Sequence, residues 1–274
     1  MTLVKSWWFQ ILIIGIILFT LADFTLRFTG NVLYFPTIMV IGAFLIPVVF
    51  VAYFYQRETR LDRGMHASNI LPTLLLCALL GGLIGTLAAG VLESRTITIQ
   101  GASSMIWVGI IEEFAKLIVP VAIYIIMQNR FRTELDGLLF GVASGMAFAA
   151  LETMGYSLVT LVRSQGDLDV LNQTILLRGL VSPAGHAAWT GLITATLWRG
   201  RERSGKAFTP AVVVFFLISA ALHSLWNIAG LSDNPGVAIP SYIAIAGVSL
   251  GLLIWRYRQA RNTAIRARQA EVIT

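Results

Sequence analysis

Charged side chains are scarce in this sequence: Asp, Glu, Lys and Arg make up only 12% of its 274 residues. Soluble globular domains carry about 25% of these residues, and disordered chains combine low hydrophobicity with high net charge. Here 57% of the residues are hydrophobic, and the mean hydropathy is +0.77. No charged residue occurs between Arg27 and Arg57 or between Lys206 and Asp233. This composition excludes both classes, and the long apolar runs predict helices that cross a hydrocarbon core of about 30 Å.

Cysteine and alternating polarity are also nearly absent. The one cysteine, Cys77, has no partner for an internal disulfide, so it gives no information about the redox compartment. The chain lacks the short segments of alternating polarity that are typical of outer-membrane barrels. The loops between the apolar runs are short, which leaves no room for a sizeable soluble domain. Any chemistry is therefore expected within the bilayer or at its edge.

The apolar runs divide into about eight segments that are long enough to span a bilayer as helices. The first segment follows Lys5, as in a signal peptide, but it lacks a convincing small-residue cleavage site, so we interpret it as a span. The sequence therefore predicts an all-α fold, a polytopic membrane helical bundle. The predicted spans are 7–26, 32–56, 70–92, 104–127, 135–162, 175–198, 208–231 and 237–257.

Loops with many basic residues alternate along the chain with loops that have few. By the positive-inside rule, this alternation predicts that both termini are cytoplasmic. Topology accounts for most of the net charge of +6, so we expect a lipid bilayer and no nucleic acid as a partner. We interpret residues 1–274 as a single integral membrane domain, with a motif-bearing core at about 104–231 and a basic cytoplasmic tail at 256–274. The rich loops hold Arg57, Arg60 and Arg63; Arg130 and Arg132; and Arg199, Arg201, Arg203 and Lys206.

Four consecutive predicted spans contain ionisable side chains. Each such group at membrane depth costs at least about 2.5 kcal/mol, so its presence indicates a function by default. At 1.5 Å per residue, these groups are predicted to lie roughly 12–17 Å below the outer surface. Carboxylates and imidazoles from four helices would thus meet at one level. The residues are Glu112, Glu113 and Lys116; Glu152; His186; and His223 with Asn227.

Helical spacing refines this prediction. Glu112 and Lys116 are four residues apart, so they share a face and are expected to pair. Glu113 points about 100° away and is expected to be free for another task. Pro183 and Gly185 are expected to loosen the helix beside His186. Two further sets share one helical stripe each: Phe148, Glu152 and Tyr156, and His223 and Asn227.

The polar residues form motifs in a fixed order over residues 109–227. The motifs are E-E-x-x-K in "EEFAK", F-x-x-x-E-x-x-x-Y in "FAALETMGY", and histidines in "GHAAWTG" and "HSLWN". In this order they resemble the PrsW family of intramembrane proteases, which is similar to the wider group of CAAX prenyl endopeptidases and bacterial immunity-type membrane proteases. Ile111 stands where some members have a third glutamate, but the paired acids remain.

The resemblance implies a multi-span enzyme of the cell membrane that cuts peptide bonds at membrane depth. It also implies a membrane-anchored substrate, such as a single-span anti-sigma factor.

The residue types favour a directly activated water, because no serine beside a base, aspartate pair or cysteine lies near the cluster. Our hypothesis has Glu112 or Glu113 as the general base, with Glu152 holding or sharing the proton of the water. His186, His223 and Asn227 would bind the water or donate to the oxyanion. Lys116, Phe148 and Tyr156 are expected to support the site.

The same groups could instead hold zinc, since two carboxylates and two imidazoles form a legitimate ligand set. That set would be Glu113, Glu152, His186 and His223. The HExxH motif is absent and the four candidates lie on separate helices, so the sequence favours a metal-free glutamic peptidase and leaves zinc open. Two other classes also remain open: a proton- or ion-coupled transporter that uses the same Glu/His cluster, and a catalytically silent scaffold.

Overall fold

The fold is a bundle of α-helices. A computed structural model describes residues 3–59, 67–98, 101–206 and 208–273, and within these ranges it contains nine α-helices and no strand. The α-helices are α1 Trp7–Thr29, α2 Phe35–Thr59, α3 Ala67–Thr96, α4 Ala102–Ile126, α5 Glu134–Arg163, α6 Leu168–Val181, α7 His186–Ser204, α8 Pro210–Ala229 and α9 Pro235–Ile273.

Among the described residues, six helices (α1, α2, α3, α5, α8 and α9) are long and apolar enough to cross a membrane. The helix α4 has 25 residues but carries Glu112, Glu113 and Lys116 in its middle, which lowers its apolar character. The predicted polytopic helical bundle is confirmed. The orientation of its termini stays a prediction, and Arg60 and Arg63 of the first basic loop lie outside the described residues.

The predicted span 175–198 is wrong as one continuous helix. It divides into the end of α6, a 3-10 turn at Ser182–Ala184, and α7, which begins at His186. Proline lacks the N–H that a helix interior needs, and Gly185 has φ −106° and ψ −99°, outside the helical region. The expected loosening beside His186 is therefore a complete break, and it places this histidine in the first turn of a new helix.

The helix α5 lies at the centre of the bundle, and 78% of an apolar 18-residue stretch within it is buried. It begins with a capping box, in which Thr133 and Asp136 exchange side-chain and backbone hydrogen bonds. Glycines on α5 allow α7 to pack against its backbone. A Cβ atom on Gly145 would lie 2.3 Å from the carbonyl oxygen of His186. The close approach of α5 and α7 brings two site-bearing segments together.

The helix α9 extends well past the predicted end of the last span. Its Arg256 Nε lies 2.7 Å from Glu134 Oε1 at the start of α5, and both side chains are buried. The Tyr257 hydroxyl donates a hydrogen bond to Glu58 near the end of α2. These contacts attach the first part of the basic C-terminal segment to the bundle as a helix.

Candidate active site

Four helices bring the predicted ionisable residues into one cluster. Glu112, Glu113 and Lys116 come from the middle of α4, Glu152 from α5, His186 from the start of α7, and His223 from α8. Direct contacts connect the members of the cluster, as described below. The structure thus places together every ionisable residue that the sequence analysis selected within the spans.

Lys116 holds both glutamates of α4. Its Nζ donates to Glu113 Oε1 at 2.8 Å and lies 3.2 Å from Glu112 Oε2. The ammonium also lies 4.4 Å from the ring centroid of Phe148, so it is enclosed on that side. The expectation that Glu113 would be free of Lys116 is wrong, because residues three apart on a helix are also neighbours.

Glu113 is completely buried and has three partners. Besides Lys116, Nδ1 of His223 lies 2.9 Å from its Oε1, and Thr190 Oγ1 donates to its Oε2 at 3.3 Å. Sequence analysis missed Thr190. The available signal was its position four residues after His186, which places both on one face of α7.

His223 is held in a fixed orientation between Glu113 and an indole. The ring of Trp189 stacks on it at a centroid distance of 4.5 Å and an angle of 23°. Trp189 is itself fixed, since its Nε1 donates to Ser249 Oγ at 2.9 Å. With Nδ1 against Glu113, the other ring nitrogen, Nε2, lies 3.6 Å from Glu112 Oε2. The imidazole therefore connects the two neighbouring glutamates.

Glu152 lies between a histidine and an arginine. Its Oε2 is 3.2 Å from His186 Nε2, and its Oε1 is 3.0 Å from an amino group of Arg178 on α6. The guanidinium of Arg178 also covers the ring of Tyr156 at 3.9 Å. Sequence analysis missed Arg178, although an arginine inside a predicted span was a visible signal.

A fourth carboxylate, Glu93 of α3, lies within electrostatic range of Glu152 and Lys116. Sequence analysis missed it because the predicted span 70–92 ends one residue earlier, so Glu93 looked like a boundary residue. This region then contains four carboxylates and two cations, which are Glu93, Glu112, Glu113 and Glu152 with Lys116 and Arg178. The excess of negative charge favours a bound cation or proton.

The predicted supporting residues occupy different environments. Phe148 is buried, and its ring stacks on that of His186 at a centroid distance of 5.9 Å. Tyr156 is half-exposed beside Arg178. Asn227 lies one turn after His223, is partly buried, and has no side-chain hydrogen bond among the described residues.

Three residues lie close enough together to hold a metal ion. Ligand atoms of Glu112, Glu152 and His186 all lie within 4.8 Å of one another. His186 Nδ1 is buried without a hydrogen-bond partner among the described residues. Glu112 Oε2 and Glu152 Oε2 are also buried and form no hydrogen bond, although they lie 3.2 Å from Lys116 Nζ and from His186 Nε2, respectively. The set predicted from the sequence contained Glu113 and His223 in place of Glu112. In the structure those two residues are instead engaged with each other.

Comparison with known proteins gives one match. The family model for PrsW family intramembrane metalloproteases matches residues 70–265, which is more than half of the chain. No curated protein and no solved structure matches the chain. The matched range contains every residue of the cluster and excludes α1 and α2. The chain therefore belongs to the PrsW family of intramembrane metalloproteases, and it is a multi-pass membrane protease.

Proposed function

We propose that the protein is an endopeptidase of the cell membrane that hydrolyses a peptide bond of a membrane-anchored protein. The observation that carries this proposal is the buried constellation of Glu112, Glu152 and His186, backed by Glu113 and His223. Peptide hydrolysis needs an activated water, a group that takes its proton, and donors for the oxyanion. The constellation, together with Asn227, offers candidates for all three roles.

The residues fit a metal ion. Glu112, Glu152 and His186 supply two carboxylates and an imidazole, which together match a catalytic zinc set with one position left for water. The buried Nδ1 of His186 supports this assignment, because a buried polar atom without a partner is costly. Zinc held there would lower the pKa of a bound water and polarise the scissile carbonyl. We therefore propose a metal-dependent reaction instead of the metal-free one that the sequence favours.

Glu112 is the better candidate for a metal ligand beside the reacting water, and Glu113 for a positioning residue. The three partners of Glu113 occupy both of its oxygens, and its side chain has no exposed surface. Glu112 Oε2 lies 3.2 Å from Lys116 but forms no hydrogen bond among the described residues. The sequence left open which of the two adjacent acids acts at the reacting water, and this difference supports Glu112.

His223 is suited to moving a proton. Contact with Glu113 orients its Nδ1, as carboxylates commonly orient catalytic histidines. Its Nε2 lies 3.6 Å from Glu112 Oε2, so it is close to a water held beside Glu112. In our proposal His223 Nε2 takes the proton of this water and later gives it to the leaving amine, while Glu112 remains a metal ligand.

The oxyanion would be stabilised by Asn227. Its side-chain amide lies one turn from His223 on α8 and has no partner among the described residues. Lys116 instead balances the charge of Glu112 and Glu113 from the buried side. The substrate class, a single-span protein such as an anti-sigma factor, remains a proposal based on the family resemblance.

Cleavage of a panel of single-span membrane peptides tests the function. Purified protein in detergent is compared with Glu152→Gln and with Asp233→Asn, a matched change at an exposed carboxylate in the loop between α8 and α9. We expect wild type and Asp233→Asn to cut at one bond, located by mass spectrometry, and a folded Glu152→Gln variant to lose this cut. A cut that persists in Glu152→Gln would contradict the site assignment.

A further inference from the structure

The site is closed on one side and open on the other. On α4 and α8 the side chains of Lys116 and Glu113 are 0% exposed, and that of His223 is 2% exposed. Exposure then rises towards α5 and α6, from 19% for Glu152 to 30% for Arg178. Among the described residues, the more exposed edge of the cluster therefore faces α5 and α6, where Arg178 lies, and a substrate helix can approach from this side.

Arg178 has hydrogen-bonding capacity that the protein does not use. A guanidinium carries five N–H donors in a rigid fork and has no acceptor. One amino group contacts Glu152 at 3.0 Å, and the flat face covers Tyr156. The Nε atom is buried and has no hydrogen-bond partner among the described residues. An unsatisfied donor of this kind is expensive at membrane depth, so an incoming acceptor would be bound favourably.

The substrate of an intramembrane protease brings such acceptors. A helix must unwind locally before a peptide bond can reach the reacting water, and unwinding frees backbone carbonyls that have no water to bind. A freed carbonyl oxygen of the substrate could therefore accept a hydrogen bond from the guanidinium of Arg178, which would satisfy both groups.

The helix that carries Arg178 is anchored from outside the family-matched region. Arg27 of α1 lies 2.6 Å from Asp169 near the start of α6, and Asn172 donates to Asp23 of α1 at 2.8 Å. The two contacts connect α6, which carries Arg178, to α1.

We propose that Arg178 is a substrate-binding residue that donates hydrogen bonds to a main-chain carbonyl beside the scissile bond. This inference rests on the proposed function. The alternative is that Arg178 only orients Glu152. Loss of a substrate contact weakens binding, whereas loss of a positioning contact lowers kcat and leaves binding nearly unchanged.

The test measures binding separately from cleavage. A fluorescently labelled single-span peptide, the tightest binder of the cleavage panel, is titrated against Glu112→Gln protein in lipid nanodiscs. The same titration is made with Glu112→Gln protein that carries a second substitution, which is Arg178→Gln, Arg178→Lys or Arg163→Gln. Arg163 is an exposed arginine at the end of α5 and serves as the matched control for loss of a positive charge. Circular dichroism and gel filtration verify the fold of each variant.

We expect Arg178→Gln to raise Kd about 10- to 100-fold, the usual effect of losing a hydrogen bond to a charged group. Arg178→Lys should recover part of this loss, and Arg163→Gln should leave Kd unchanged. An unchanged Kd in Arg178→Gln would overturn the role of Arg178 in binding and would leave the proposed function intact. Binding without cleavage by the wild type would contradict the proposed function alone, and absence of binding to the Glu112→Gln protein would contradict both.

Discussion

Glu112 and Glu113 are neighbours in the chain, but their carboxylates have different surroundings. Glu113 is enclosed by Lys116, Thr190 and His223, whereas Glu112 faces Glu152 and His186. Two adjacent residues on a helix point about 100° apart, so an E-E pair can supply one metal-binding and one positioning carboxylate. This separation of roles leads to two predictions at the scale of single residues.

Replacing Glu112 should weaken zinc binding more than replacing Glu113. We expect Glu112→Gln to weaken zinc binding by more than about 100-fold, because it removes a proposed ligand. Glu113→Gln should weaken it by no more than about tenfold, the lower end of the effect of losing a residue that supports ligands. Zinc affinity is measured by competition with a chromophoric chelator on folded protein. Equal affinities in the two variants would contradict the assignment.

Removing the hydroxyl of Thr190 should slow catalysis moderately. Thr190→Val deletes one hydrogen bond to Glu113, which is worth about 0.5–1.5 kcal/mol and corresponds to a fall in kcat of about 2- to 12-fold. Thr194→Val is the matched control. Thr194 is a buried threonine on the same helix whose hydroxyl bonds only carbonyls of its own helix. Kinetics on a cleaved peptide should separate the two variants, and an equal effect on kcat would refute the role of Thr190.

At the scale of elements, the break between α6 and α7 determines the position of His186. Ser182–Ala184 and Gly185 interrupt the helix, so α7 begins at the histidine and packs against the glycine-rich face of α5. A continuous helix through residues 175–198 would direct the chain differently at this point. The sequence contains the proline and glycine that cause the break, but their effect depends on the packing of α5 against α7.

Substituting Gly145 should displace His186. A Cβ atom at this position would lie 2.3 Å from the His186 carbonyl oxygen, which belongs to the backbone and cannot rotate away. We expect Gly145→Ala to reduce kcat/KM by about 100-fold, as misplacement of a catalytic group by about 1 Å can do.

The control for this substitution is Gly155→Ala on the same helix, where a Cβ atom would meet nothing within 4 Å. It should leave activity unchanged and stabilise the protein slightly, because alanine favours a helix. Similar losses of activity in both glycine variants would contradict the explanation.

At the scale of the whole molecule, the end of the bundle away from the site is fixed by buried charges. Arg256 and Glu134 pair at 2.7 Å. Removing one partner of a buried pair costs about 3–5 kcal/mol, because the other charge is left uncompensated. We expect Arg256→Met to lower the apparent melting temperature clearly while the proteolytic cut site stays the same. Arg258→Met, at an exposed arginine two residues later, should change the melting temperature little, and equal shifts would contradict this view.

Sequence analysis predicted the helical membrane fold and the ionisable members of the cluster, because charges are rare in apolar segments. It could not identify Thr190, since threonines are common in helices and only the fold brings this one to Glu113. It assigned Glu113 instead of Glu112 to the metal set, because that choice depends on side-chain conformation and on the position of Lys116. Glu93 lay just beyond a predicted span end, where charged residues are ordinary, whereas Arg178 lay inside a predicted span and was overlooked.

The most direct test of the account is peptide cleavage by the purified protein before and after removal of its metal. Chelator-treated protein is assayed, dialysed free of chelator, and assayed again with zinc added back, while bound zinc is quantified by mass spectrometry. The account predicts loss of cleavage on chelation, and recovery as zinc returns to about one ion per chain. Full cleavage by protein without bound metal would contradict it and favour a mechanism that uses the glutamates alone.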